Sequence, residues 1–339
     1  MTKIKKRQVN IEVLRIIAML LVLVGHYNRP INGDVTYELV HTDILKAVGI
    51  AELKSWTFVC VPCFVIISGY FGIHWKWKGI FNFLFQIAFW GGFIYMLTNL
   101  LGFHPFELKP FIKSMTCFLY GVNWFITAYF GLYLFAPIIN SFIDNSSERQ
   151  LKWVVLAFFA YQTIFGWIFK IPEFTMGMTM TSLIGYYLLG GFLRKTTMRI
   201  FQFQATVNLF IFLGVGLFCV FLNCTTKYYG IEKDVYSYIS PLQVCQTIYL
   251  FLFCKNINIR YGEKIILFFS SSAFAGLLMH SWEGGAMYMA GLKWCSEEFE
   301  WSFFPCMVYI FLFFTAACCW DKARIWCWNY LVKVFRNFI

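Results

Sequence analysis

Ten stretches of this 339-residue chain are apolar over the length a bilayer demands, and no other property restricts its fold as severely. A helix needs about 20 apolar residues to cross roughly 30 Å of hydrocarbon. The stretches are 11–28, 55–73, 79–101, 122–140, 151–170, 177–193, 204–222, 237–254, 264–281 and 302–320. Lipid offers no hydrogen bonds to an open backbone, so apolar segments of this length cross as helices. The expected architecture is therefore all-α: a single polytopic domain over 1–339 with about ten transmembrane helices. Segment 104–121 carries Pro105, Pro110, Lys109 and Lys113, and is read as re-entrant or interfacial. With 60% hydrophobic and only 13% charged residues, the chain is excluded from the disordered and ordinary soluble classes.

The formal charge of +11 raises three readings: nucleic acid, anionic lipid or topology. Placing the N-terminus in the cytoplasm puts 18 Lys and Arg in inner segments and nine in outer ones. That bias predicts both termini in the cytoplasm. The basic residues are scattered across loops, so no nucleic-acid partner is expected. Lys3, Lys5, Lys6 and Arg7 precede the first apolar run like a signal peptide. No small-residue cleavage site follows, and Arg15 interrupts the run, so it is read as an uncleaved first transmembrane helix. Most of the 12 cysteines lie in apolar runs, where a thiol packs as a small hydrophobe. Cys60 and Cys63 form a lone CxxC without a second pair or a nearby His, and no metal is expected. Phosphate-loop, GxGxxG, HExxH and GxSxG motifs are absent.

Ionisable side chains inside a span are costly and draw attention to function. Arg15 and His26 lie 11 positions apart, so they stand about 20° apart around a helix and about 16 Å apart along it. They share one face, with Glu12 one turn before Arg15 to neutralise it. Each alone has a plain structural reading, as a snorkelling cation and an interfacial ring. His280 ends the ninth stretch at a depth comparable to His26. Ser68, Asn123, Trp124 and Glu283 sit within or at the ends of spans and complete the candidates as lining residues. Small and polar residues in such places also serve helix packing.

Five motifs, in order, resemble the integral-membrane acyltransferase-3 family, which includes O-acetyltransferases of bacterial surface polysaccharides. Arg15-Ile-Ile-Ala-Met-Leu-Leu-Val-Leu-Val-Gly-His26 is similar to its Arg-x10-His first helix. Val61-Pro62-Cys-Phe-Val-Ile-Ile-Ser68-Gly69-Tyr70 is similar to its second span. Asn123-Trp124 through Pro137, Gly185 through Arg194, and Ser272 through His280 resemble three later segments. The chain departs from the family after the second span. Where the family carries Arg-x-x-Arg for its acyl donor, this loop reads His74-Trp75-Lys76-Trp77-Lys78-Gly79. Lysines hold phosphates as point charges, without the bidentate fork of Arg.

The resemblance implies a multi-pass enzyme of the plasma (inner) membrane, working in cell-envelope polysaccharide biosynthesis. Acetyl-CoA from the cytoplasm would be the acyl donor, and a glycan or lipid-linked sugar hydroxyl the acceptor. His26 would act as base, Arg15 as an electropositive element on the donor path, and His280 as a group orienting His26, a second acid/base or an acyl carrier. Lys76 and Lys78 would sit at the donor's entry. The competing class is a non-enzymatic flippase or polysaccharide transporter, which would neither bind nor require acetyl-CoA.

Overall fold

A computed structural model of the chain describes residues 7–121, 123–281, 283–299 and 302–334, without the side chains of Thr175 and Glu283. Helix makes up 81% of it, and no strand occurs among the described residues. They fall into two compact units, one comprising the chain through Gly72 with Phe142–Ser271, the other Ile73–Ser141 with Ser272 onward. The first unit begins with α1 (Val9–Asn32), α2 (Tyr37–Thr42), α3 (Ile44–Thr57) and α4 (Cys60–Phe71). The second holds α5 (Trp77–Leu100), α6 (Leu108–Met115) and most of α7 (Trp124–Asn145). The chain returns to the first for α8 (Glu148–Tyr161), α9 (Met180–Lys195), α10 (Ala205–Tyr228), α11 (Pro241–Asn256) and α12 (Glu263–Ser270). It ends in the second with α13 (Ala273–His280), α14 (Glu283–Glu298) and α15 (Phe303–Val334).

Seven of the ten predicted stretches coincide with helical runs long and apolar enough to cross a membrane, with an eighth if the broken run Glu263–Glu298 is counted. The chain is thus an all-helical, multi-pass membrane protein. The stretches 177–193 and 237–254 appear as α9 and α11, each of 16 residues. That is about 24 Å at 1.5 Å per residue, short of a full hydrocarbon core. The stretch 264–281 breaks at Ser270-Ser271-Ser272, where the Ser271 hydroxyl bonds back to the Phe268 carbonyl. Segment 104–121 holds the short α6, whose Ser114 hydroxyl donates to Gly91 O of α5 at 2.8 Å.

Local signals explain the helix ends. Ser147 and Gln150 form a complete capping box at α8, and Thr36, Asp43 and Thr179 cap α2, α3 and α9. Gly33 and Gly72, at φ 82° and 78°, end α1 and α4 in a conformation closed to most side chains.

In the first unit, α4 and α9 touch backbone to backbone. A Cβ on Gly69 would lie 2.7 Å from the Tyr187 carbonyl carbon and closer still to its oxygen. One on Gly190 would lie 2.8 Å from Tyr70 N. Small residues at such crossings let membrane helices gain dispersion contact where lipid supplies no hydrophobic drive. The π-helical turn Gln162–Ile168 after α8, together with α9, holds the segment before α11. Thr163, Trp167, Lys170 and Tyr186 side chains donate to the carbonyls of Ile239, Asp234, Glu232 and Tyr238 in turn.

In the second unit, α15 runs past the predicted end at 320 to Val334, so Asp321 and Arg324 lie inside a helix and not in a loop. Their charges survive burial because each is matched. Arg324 donates to both Asp321 oxygens at 2.7 and 3.0 Å and to Asn82 Oδ1, while Trp90 Nε1 donates to Asp321 Oδ1. A buried pair of this kind persists only when its remaining hydrogen-bonding capacity is also met.

Candidate active site

In the first unit two of the candidates, Arg15 and His26, stand on α1. A single uninterrupted helix carries Arg15 and His26, as the one-face geometry requires. Arg15 Nη1 lies 3.2 and 3.3 Å from the two oxygens of Glu12, whose side chain is 5% exposed. Arg7 approaches the same carboxylate at 3.7 Å. The carboxylate thus has two cations against its one charge, and this end of α1 keeps a net positive balance.

His26 stands on a packed stripe that opens at its ring. Val22 and Met19, four and seven residues before it, are 4% and 1% exposed, whereas His26 itself is exposed. Its Nδ1 lies 2.8 Å from the Val22 carbonyl. A carbonyl only accepts, so this contact puts the proton on Nδ1 and makes Nε2 the basic nitrogen of the neutral ring. Ser68, by contrast, donates to Phe64 O at 2.9 Å within its own helix, one position from the Gly69 crossing. Its geometry belongs to packing as much as to lining.

In the second unit, His280 repeats the arrangement of His26. It is buried, its Nδ1 lies 2.8 Å from Gly276 O, and its ring meets Tyr288 edge-on at 5.7 Å. The same argument assigns the basic position to Nε2. Asn123 serves two elements at once. Its Oδ1 accepts from the backbone N–H of Phe125 and Ile126 at the start of α7, while its Nδ2 donates to Ser281 Oγ at 2.9 Å. It therefore fixes the residue that follows His280. Trp124 is half-buried and packs edge-on to Phe125. The Glu283 side chain lies outside the described residues. Lys76 and Lys78 are exposed beside Trp75 and Trp77.

The sequence reading missed Ser281, whose link to Asn123 spans 158 positions and leaves no local trace. It also missed the Asp321–Arg324 pair, although an acid and a base three apart beside an apolar run were a visible signal. The cysteines are free, and Cys60 and Cys63 are buried. Among the described residues no cluster of three or more His, Cys, Asp or Glu is arranged to hold a metal.

The acyltransferase-3 family model, described as an acyltransferase domain, matches residues 8–324. The chain belongs to this family. The match runs from α1 into α15 and so takes in Arg15, His26, Asn123 and His280. Membership carries acyltransferase activity in general terms. No curated protein and no solved structure matches the chain.

Proposed function

We propose that this protein moves an acetyl group from acetyl-CoA to a hydroxyl of a cell-surface or lipid-linked glycan, with His26 as general base. The observation that carries the reading is the exposed His26 ring, with Nδ1–H held by Val22 O and Nε2 basic. Nε2 takes the acceptor hydroxyl proton as the oxygen attacks the thioester carbonyl. The tetrahedral oxyanion collapses, the C–S bond breaks, and the imidazolium returns the proton to the CoA thiolate. Products are the O-acetyl ester and free CoA, and no net proton is lost.

His280 has the same tautomer-setting contact and is assigned a second acid/base role, with Asn123 positioning the adjoining Ser281. Arg15, in excess over Glu12 together with Arg7, favours the anionic donor, as do Lys76 and Lys78. Ten crossings follow from the ten apolar stretches, with α9 and α11 as short crossings, and both termini in the cytoplasm follow from the distribution of Lys and Arg. The donor then comes from the cytoplasm, at the plasma membrane of a cell that builds an acylated envelope. Family membership favours transfer over the alternative, a flippase or transporter.

The test is transfer of labelled acetyl from acetyl-CoA to envelope glycans by purified protein. His26→Ala is expected to lose at least 100-fold in rate, within the range general-base catalysis supplies, while melting as the wild type does. Undiminished transfer by His26→Ala overturns the assignment.

A further inference from the structure

The stretch from His74 to Lys78, in the second unit, runs from the linker after α4 into the first turn of α5, and all five residues are exposed. Both its ends are tied to one face of α7. Asn140 Nδ2 donates to Ile73 O at 2.9 Å at the entry. At the exit, Gly79 admits the Tyr133 ring so closely that a Cβ there would lie 3.4 Å from Cζ and closer still to the hydroxyl. Tyr133 and Asn140 are two helical turns apart, so α7 contacts the stretch at both ends. Between these ties, Trp75 and Trp77 are 37% and 62% exposed. Their rings stand 5.0 Å apart at 64°, and Trp77 stacks on Phe81 at 6.3 Å. Lys76 and Lys78 alternate with the indoles, and neither has a carboxylate partner among the described residues.

We propose that the Trp75–Trp77 corner binds the adenine ring of the acyl-CoA donor, with Lys76 and Lys78 on its phosphate groups. The proposal rests on the reading that the donor is acyl-CoA. Two indoles at 64° make a two-walled corner. A flat purine stacks on one wall and presents its N–H edge to the π face of the other. Alternating lysines place positive charge beside both walls, where the phosphates of a stacked nucleotide emerge. Anchoring in lipid headgroups needs only tryptophans at the right depth and no fixed angle between them. The ties at Ile73 and Gly79 hold the backbone on either side of the indoles before the ligand arrives, which lowers the ordering cost of binding. The corner also supplies a grip on the donor in the loop where the family's Arg-x-x-Arg is missing.

The test compares acetyl-CoA with acetyl-pantetheine, which carries the same thioester without adenine, ribose or the nucleotide phosphates. Full-length wild type, Trp77→Leu and Trp77→Phe are assayed in nanodiscs, with thermal melting as a control for folding. Trp77→Leu is expected to raise KM for acetyl-CoA roughly tenfold, the size that one base-on-aromatic stack carries. Its kcat and its KM for acetyl-pantetheine stay unchanged, and Trp77→Phe restores most of the loss. In equilibrium dialysis, adenosine 3′,5′-bisphosphate binds Trp77→Leu about tenfold more weakly than wild type.

An unchanged KM for acetyl-CoA, or an equal rise for both donors, overturns the proposal. So does a variant whose only defect is a lower melting temperature in anionic-lipid nanodiscs, because that outcome assigns the indoles to lipid. If wild type transfers nothing from acetyl-CoA, the acyl-donor reading fails separately. Dialysis with the bisphosphate then decides whether the corner binds adenine nucleotides at all.

Discussion

Replacing Gly69 with alanine tests whether the α4–α9 crossing is closed at the backbone. The added Cβ would lie 2.7 Å from the Tyr187 carbonyl carbon, where ordinary van der Waals contact begins at 3.4 Å. The helices must separate by at least 0.7 Å, and by more to clear the oxygen. No flexible side chain is available to give way, because the obstructing atoms are main chain. Overpacking costs typically 1–3 kcal/mol, and an immovable neighbour places this site at about 3 kcal/mol. Removing a mid-helix glycine returns about 1 kcal/mol of helix propensity. The net loss is about 2 kcal/mol, a roughly 30-fold fall in the ratio of folded to unfolded protein. Gly214 on α10 is the control, since a Cβ there meets nothing within 4 Å. Gly214→Ala should keep or raise the melting temperature of detergent-purified protein, and Gly69→Ala should lower it clearly. If the two variants melt together, the backbone crossing is not what holds α4 against α9.

Two more predictions concern charged groups in the first unit. Arg15→Met strands a nearly buried Glu12 beside only Arg7, and should cost on the order of 3 kcal/mol in thermal or denaturant unfolding. Adding Glu12→Gln should restore the stability without restoring acetyl transfer, which separates structural pairing from a role toward the donor. At the C-terminal end of α1, burial alone would raise the Asp34 carboxyl, but Lys54 at 3.2 Å and Arg29 at 3.1 Å outweigh it and hold it below its ordinary value. Its stabilising share is present above the unfolded carboxyl value, about 3.9, and disappears as pH falls through the lower folded value. Asp34→Asn should therefore narrow the gap in melting temperature between pH 7 and pH 3 relative to wild type.

The legible parts of the fold were those fixed by local chemistry. Apolar length announced seven spans outright, and Glu12, three residues before Arg15, announced their ion pair. The shared face of Arg15 and His26 needed only helical periodicity, and α1 keeps it without interruption. The Ser68-Gly69-Tyr70 and Gly185–Gly190 motifs were visible as small-residue sites, but their interlocking was not. Nothing in either segment says which helix it will meet. The same holds for Asn123 with Ser281, and for Trp90 and Asn82 with the Asp321–Arg324 pair. Hydropathy also misjudged where α3 begins and where α15 ends. Lys46, Glu52 and Lys54 masked the helical run from Ile44, and Asp321 passed for the edge of a loop. The tautomers of His26 and His280 rest on carbonyls four residues earlier, a contact any helix offers and only a structure reveals as taken.

The segment between α10 and α11 has a consequence for how such a protein can diversify. Thr163, Trp167, Lys170 and Tyr186 grip it through the carbonyls of Ile239, Asp234, Glu232 and Tyr238. Every residue type supplies that carbonyl, so substitution at Glu232 or Asp234 leaves these tethers in place. The gripping residues are constrained, as are the buried Tyr238 and Ile239, whereas Glu232 and Asp234 are free to vary in charge and size while the chain keeps its course. A descendant of this protein could thus recolour the outer part of that stretch, at Glu232 and Asp234, without first having to re-solve its path.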